Sequence, residues 1–192
     1  MSNTVKITLA SIIGVIVLFG FVAFGSYNSL VSSENNVDAK WSQVENVMQR
    51  RYDLVPNLQA AVKGSMKHET KVFGQIADAR KQYANASSST DKLKANDQMQ
   101  AASSTLINVI HENYPELASN ENVKSLMTQL EGSENRISTE RREYILAVQS
   151  YNLKVQRFPG NIFANIFGFN KKAEYKANDA AQTAPSINLD EN

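Results

Sequence analysis

An uninterrupted apolar segment near the amino terminus constrains this chain more than any other feature. Residues 7–24 (ITLASIIGVIVLFGFVAF) contain no charge; Lys6 precedes them closely, and the next charged residue is Glu34. As an α-helix the segment would be roughly 27 Å long, close to the roughly 30 Å hydrocarbon core of a bilayer. The sequence therefore predicts a short flank at residues 1–6, a transmembrane anchor at residues 7–25, and the lipid bilayer as partner of residues 7–24.

The same segment also has a feature of a secretory signal. Ala23-Phe24-Gly25, before Ser26, resembles the small-x-small site at which signal peptides are cleaved. A signal usually has only about 7–15 apolar residues, which favours a permanent anchor, and cleavage after Gly25 is the alternative. The chain has no cysteine, which excludes a lipoprotein anchor and disulfides.

The basic residues around the segment predict its orientation. Lys6 and the α-amino group lie on the amino side, and no Lys or Arg follows until Lys40. Because basic flanks tend to stay in the cytoplasm, we expect a cytoplasmic amino terminus and a single-pass protein whose remaining residues lie outside the inner (cell) membrane.

The composition excludes some classes of partner. Lys and Arg total 20, and Asp and Glu total 19. A balanced, interleaved charge set lacks the basic face that nucleic-acid binding requires, and it offers no polybasic patch for anionic lipid. With only 8 glycines and 4 prolines, the composition favours helices.

After the anchor, apolar residues recur every three or four positions, which is typical of helices that pack along one seam. The first helix is expected over residues 26–52, with Trp41 in the core. Asp53-Leu54-Val55-Pro56 should end it, because the residue before proline avoids the α-region, and Asp53 could cap the next helix. The other helices are expected over residues 58–86, 91–111 and about 119–158.

Four helices with short breaks predict an all-α fold: an antiparallel up-down-up-down four-helix bundle in residues 26–169, followed by a polar, disordered tail at residues 170–192. The fourth helix then returns to the membrane side. The hydrophobic segment 158–169 (FPGNIFANIFGF) should therefore either close the base of the bundle or lie in the lipid interface beside the anchor.

Four charged residues occupy apolar seam positions: Glu34, Glu69, Glu134 and Arg141. An unpaired charge in a core would cost several kcal/mol. We hypothesise a core polar network of Glu69, Glu134 and Arg141, in which Arg141 pairs with one of the two glutamates. The alternative is that these side chains face an open, solvated part of the bundle.

The expected corner between the first two helices is a second candidate site. Arg50, Arg51 and Asp53 would lie at the membrane-distal tip, exposed and able to bind a partner. Alternatively, Asp53 only caps a helix and the arginines are solvated or paired with neighbouring carboxylates.

The order of these motifs resembles the LemA family of bacterial membrane proteins. The resemblance extends from the anchor to about Phe169 and is carried by the following residues: 27–31 (YNSLV), Trp41, 49–58 (QRRYDLVPNL), 68–69 (HE), 79–80 (AR), 114–117 (YPEL), 134–137 (ENRI), 151–152 (YN) and 158–159 (FP). It implies an amino-terminal anchor and an antiparallel helical bundle, and it implies no established biochemical activity. At the carboxyl end, residues 174–176 (EYK) depart from the family's aromatic pair.

Signs of catalysis or metal binding are absent from the sequence. His68-Glu69 and His111-Glu112 both lack the second histidine of a zincin helix, and neither histidine has a glutamate three residues before it. Without cysteine, a phosphate loop or a serine paired with histidine, we expect no enzyme activity, cofactor or metal.

Three readings of function remain. The first is a membrane-tethered, non-catalytic scaffold that binds an unknown protein of the cell envelope. The second is a structural homo-oligomer that pairs through apolar strips such as Val37 or Ile145-Leu146, and the third is an enzyme with an unrecognised carboxylate and arginine site.

Overall fold

The computed structural model describes residues 3–175. This part of the chain is helical, without strands, which confirms the all-α class for the residues described. It contains six helices: α1 (Asn3–Val62), α2 (Thr70–Asn85), α3 (Ser89–Asn113), α4 (Pro115–Ser119), α5 (Glu121–Gln156) and α6 (Gly160–Phe167). Residues 1–2 of the predicted flank and residues 176–192 of the predicted tail lie outside the described residues.

Helix α1 contains both the apolar segment and the first helix of the domain that follows it. Its 60 residues continue through Gly25 without a break. By length and composition, its amino-terminal part could cross a membrane, and none of the residues of that apolar stretch is buried. The candidate span is therefore continuous with the folded domain.

The predicted helix break at Asp53–Pro56 is wrong, because α1 continues through Pro56 to Val62. Val55, Leu58 and Val62 are fully buried. Burying each such side chain contributes about 1.5–3 kcal/mol, which together exceeds the cost of about 3 kcal/mol for an internal proline. Asp53 caps no helix; its carboxylate accepts a hydrogen bond from the Gln49 amide at 3.0 Å.

The true reversal lies at residues 63–69, so the predicted second helix is divided between the end of α1 and α2. Met66 is fully buried in this turn and attaches it to the core.

Side-chain caps mark the starts of two later helices, α3 and α5. Ser88 accepts a hydrogen bond from the Asp91 N–H at 3.1 Å, and Asn120 accepts from the N–H groups of Asn122 and Val123.

Helix α1 packs mainly along α5, and α2 packs mainly along α3. Lys154 of α5 donates to the Ser29 carbonyl at 3.4 Å, and Lys40 pairs with Glu143 at 3.3 Å. Rising residue numbers on α1 thus meet falling numbers on α5. These contacts form two apolar clusters of buried residues. The cluster farther from the apolar segment, which we call the distal core, consists of buried residues within 55–66, 72–79, 99–110 and 123–130. The cluster nearer to it, which we call the proximal core, consists of Tyr83 and buried residues within 37–48, 93–95 and 137–151.

Residues 170–175 pack back along the domain, so the predicted disorder of the tail is wrong for this part of it. The Tyr151 hydroxyl donates to the Asn170 carbonyl at 3.0 Å. Asn152 is bound to the Lys172 backbone in both directions, at 2.9 and 3.0 Å. The Lys172 ammonium lies 3.3 Å from Glu34, which explains how this seam carboxylate is accommodated.

Replacing Pro56 tests the continuity of α1 through the predicted break. Pro56→Ala restores a backbone donor inside a helix, so we expect the free energy of unfolding to rise by about 1–3 kcal/mol. The measurement is denaturant unfolding of the full chain in mild detergent. Pro115→Ala is the matched control, because proline is well tolerated at the first position of α4, and little change is expected there. A loss of stability in Pro56→Ala would instead indicate a helix start at Pro56.

Candidate functional site

A layer of polar side chains crosses the domain between the distal and proximal cores. It joins α1, α3, α5 and the returning tail, and we call it the polar layer. Its members are Arg51, Asn96, Asp97, Ser133, Glu134, Arg141 and Tyr175.

Arg51 is the most buried charge of the layer, with only 2% of its surface exposed. Its guanidinium donates to the Asn96 side-chain oxygen and to the Ser133 hydroxyl, each at 3.3 Å. It also forms an ion pair with Glu134. Three helices are thereby joined through one side chain, which lies one turn from Met48 of the proximal core and one turn from Val55 of the distal core.

A second ion pair extends the layer toward the surface. The Arg141 guanidinium lies 2.5 Å from the Asp97 carboxylate, joining α5 to α3. The Tyr175 hydroxyl donates to the other oxygen of Asp97 at 2.5 Å. Arg141 also lies over the ring of Tyr175, 5.3 Å from its centroid. The tail residue thus closes this side of the layer.

The electrostatics of the layer follow from burial and pairing. Burial lowers the pKa of Arg51, and Glu134 opposes this effect by favouring the charged guanidinium. Burial raises the pKa of Tyr175 to about 12, and the hydrogen bond to Asp97 acts in the same direction. Tyr175 is therefore a neutral donor at physiological pH, and that contact should be lost only as the pH rises from about 10 toward 12.

The structure places the predicted core network differently from the hypothesis. Glu134 belongs to the polar layer, but its partner is Arg51, and Arg141 pairs with Asp97. Glu69 lies at the other end of the domain, where it accepts a hydrogen bond from the Tyr114 hydroxyl at 3.2 Å. The pairing of Arg141 with Glu69 or Glu134 is therefore wrong. Glu134 is seven residues from Arg141 on the same helix, about 10 Å along its axis.

The predicted partner corner at Arg50, Arg51 and Asp53 does not form a tip, because α1 continues past it. Arg50 and Asp53 are exposed on the side of α1, whereas Arg51 points into the core. The sequence did contain a signal for Arg51. It lies three residues after Met48 and four before Val55, in the same seam, and the expected break at Pro56 concealed this spacing.

The arrangement holds charges in place and leaves few groups for chemistry. Both arginines of the layer are paired with carboxylates, and both histidines, His68 and His111, are exposed. Within residues 3–175, no cluster of three or more His, Asp or Glu side chains could hold a metal ion. An open groove of about 290 Å³ beside Arg51 and Glu134 is the approach to the layer from solvent. We infer that the layer fixes the register of the packed helices, because its ion pairs and hydrogen bonds join α1, α3 and α5 at one height.

These features define a membrane-associated protein made of helices, with a candidate membrane span at its amino terminus. The chain belongs to the LemA family, whose model matches residues 40–189. The resemblance found in the sequence motifs is thereby confirmed.

Curated relatives carry magnetosome names. The chain is 29% identical over 207 residues to magnetosome protein MamQ 2 and to magnetosome protein MamQ 1, both of Paramagnetospirillum magneticum; each alignment covers 92% of this chain and 74% of the relative. It is 28% identical over 211 residues to magnetosome protein MamQ of Magnetospirillum gryphiswaldense, covering 95% of this chain and 76% of the relative. These names specify no reaction.

The pair of Arg51 and Glu134 predicts an asymmetric response to substitution. Glu134→Gln leaves a buried guanidinium without its counter-charge and should lower the free energy of unfolding by about 2–4 kcal/mol. Arg51→Met leaves a partly exposed carboxylate that water can solvate, so its cost should be smaller, and the double variant should be more stable than Glu134→Gln alone. Denaturant unfolding of the full chain in detergent measures all three.

The surface pair of Lys40 and Glu143 provides the control for this cycle. Both side chains are well exposed, so Glu143→Gln should change the free energy of unfolding by less than about 1 kcal/mol. Equal costs for Glu134→Gln and Glu143→Gln would contradict a structural role for the polar layer.

Proposed function

We propose that this protein is a non-catalytic scaffold of the bacterial cell envelope, which holds an interaction surface at a fixed distance from the membrane. Its domain is an up-down-up-down four-helix bundle of α1, α2, α3 and α5. Two sets of contacts support this arrangement. Residues 29, 40 and 51 of α1 meet residues 154, 143 and 134 of α5, and residues 45 and 51 of α1 meet residues 92 and 96 of α3.

The observation that carries the proposal is the continuity of α1. From Phe24, at the end of the apolar segment, to Val62 the helix has 38 further residues and rises about 57 Å. A domain on a flexible linker would sample many distances and angles, whereas this domain begins inside the same helix as its anchor. An unbroken helix of this length would hold a binding surface at a fixed distance from the membrane. An enzyme that acts on a diffusible substrate does not require such a helix.

The surface presented farthest from the membrane is the distal tip, which consists of residues 63–69 and 113–120. Lys63, Lys67 and His68 are exposed there. We therefore propose the turn after the end of α1 as the partner surface, in place of the corner predicted at Arg50, Arg51 and Asp53. We take the distal tip as the site at which an envelope protein binds.

A structural homo-oligomer is the second candidate. Leu146 is 49% exposed in the middle of α5 and could pair with another copy of the chain. Val37 cannot contribute to such a contact, because it is 1% exposed in the proximal core. The prediction that Val37 forms an exposed strip is therefore wrong, which leaves a smaller apolar surface for self-association.

Family membership and the flank of the apolar segment support the remaining parts of the proposal. The names of the relatives describe magnetosome proteins, and nothing in them specifies catalysis. Lys6 on the amino side favours a cytoplasmic amino terminus, a single membrane pass and a bundle outside the inner membrane.

The absence of cysteine makes a site-directed experiment possible. Ser65→Cys places one thiol at the distal tip, and Ser138→Cys places a matched thiol on the exposed flank of α5. Each variant is labelled in spheroplasts with a membrane-impermeant maleimide that carries a photocrosslinker, and adducts are identified by mass spectrometry after illumination. We expect position 65 to be labelled in intact spheroplasts and to form one defined adduct with another envelope protein, which position 138 does not form.

Other outcomes would contradict parts of the proposal. Labelling only after lysis would place the domain in the cytoplasm. Adducts with the protein itself alone would favour the homo-oligomer, and the absence of any adduct that distinguishes position 65 from position 138 would overturn the distal tip as a binding surface.

A further inference from the structure

Helix α6 packs against α1 near the end of the apolar segment. The start of α6 at Gly160 lines the same groove as Gly25 of α1, and the ring of Phe167 at its other end lies 5.0 Å from the ring of Tyr27. Between these ends, the ring of Phe163 lies 5.4 Å from that of Phe19, inside the apolar segment. Helix α6 therefore contacts α1 on both sides of Gly25, at Phe19 within the apolar segment and at Tyr27 just after it.

One side of α6 is buried and another side is apolar and open. Phe163 and Ala164 are buried against the rest of the protein. Ile162 and Ile166 are one turn apart on the same face, and they are 43% and 61% exposed. Phe158, just before α6, is 80% exposed. We call Phe158, Ile162 and Ile166 the apolar strip.

The backbone on both sides of α6 fixes it at the base of the domain. At its start, Gly160 lies against the Lys154 carbonyl so closely that any side chain would clash. At its end, Gly168 adopts a left-handed conformation with φ of 78°, and the Phe169 N–H donates to the Ala164 carbonyl at 2.9 Å. The chain then returns along the domain, so α6 is attached to it at both ends.

Basic side chains lie just beyond the apolar strip. Lys154 donates to the Ser29 carbonyl, about 7–8 Å along α1 from Phe24, and exposed Arg157 lines the same groove. Charges at this height match the headgroup region of a bilayer whose hydrocarbon core ends near Phe24. Long basic side chains commonly reach the phosphate groups there while their stems cover apolar surface.

We propose that α6 is a second membrane contact, which lies in the lipid interface with the apolar strip inserted at the acyl boundary. The occupant is phospholipid because α6 packs through Phe163 against Phe19 of the candidate span, whose apolar side chains are exposed, and because Lys154 and Arg157 lie in the groove next to Phe158. This inference rests on the proposed function, since it requires α1 to span the bilayer. With contacts at both α1 and α6, the domain is restrained in rotation about α1 as well as in tilt.

Spin labels on single cysteines test the position of α6. The full chain is reconstituted in vesicles of phosphatidylethanolamine and phosphatidylglycerol, with labels at Ile162→Cys and Ile166→Cys. Phe21→Cys is the reference in the candidate span, and Leu146→Cys is the matched control, an exposed apolar residue on α5. Collisions with oxygen report lipid, and collisions with a water-soluble nickel chelate report water. We expect the oxygen-to-nickel ratio at positions 162 and 166 to be several-fold higher than at position 146 and close to that at position 21.

The remaining outcomes separate the two proposals. A lipid signal at position 21 with a water signal at positions 162 and 166 would overturn the role of α6 and leave the anchor intact. A water signal at position 21 would remove the anchor and the inference together. Exclusion of both reagents at positions 162 and 166, with spin–spin broadening, would show a second copy of the chain on the strip and would also overturn the proposal. Helix content and unfolding matched to the parent chain exclude misfolding as the cause of either signal.

Discussion

The continuity of α1 is the constraint on which the rest of the structure depends. One helix supplies the candidate membrane span, a seam of buried residues from Leu30 to Val62, and the surface against which α5 packs along its length. The helix continues through Gly25 without a break, so no separate joint divides the candidate span from the domain. The candidate span and the core-facing part of α1 are consequently mechanically coupled, and movement of one should tilt the other.

A seam this long needs a means of fixing its register, and we infer that the polar layer provides one. Apolar residues repeated every three or four positions can slide by a turn with little loss of contact. A slide of α5 past α1 would move Arg51 away from Glu134 and Ser133 into apolar surroundings, and the uncompensated charge would cost several kcal/mol. The layer therefore selects one alignment of the helices even if its net contribution to stability is small.

The apolar seams were sufficient to predict the helical class and the positions of α3 and α5 from sequence, because burial along one face determines both. The predicted break at Pro56 was wrong because the burial of Val55, Leu58 and Val62 outweighs the local effect of proline on the helix. That error placed Arg51 on the surface. The partners of Arg141 and Glu134 could not be predicted, since they depend on which residues of α3 and α1 lie at the same height, and no spacing within one helix determines this.

Residues 170–175 show a related limit. Their polar composition suggested disorder, yet Asn152 of α5 supplies hydrogen bonds that a composition argument cannot detect. Tyr175 then donates a hydrogen bond to Asp97, so a tail residue contributes to the partly buried edge of the polar layer. Polar side chains on a packed helix can order a segment that has little apolar surface of its own.

The distance across the junction between the apolar segment and the domain tests the central claim most directly. Ser11 and Ser42 are exposed on α1, on opposite sides of Gly25, and single spin labels on cysteines at both positions can be measured by double electron–electron resonance in lipid nanodiscs. An unbroken helix predicts one narrow distribution centred at about 46 Å for the 31 intervening steps. A broad or markedly shorter distribution would show a joint at Gly25, and loss of the label at position 11 through cleavage would contradict the continuous anchor altogether.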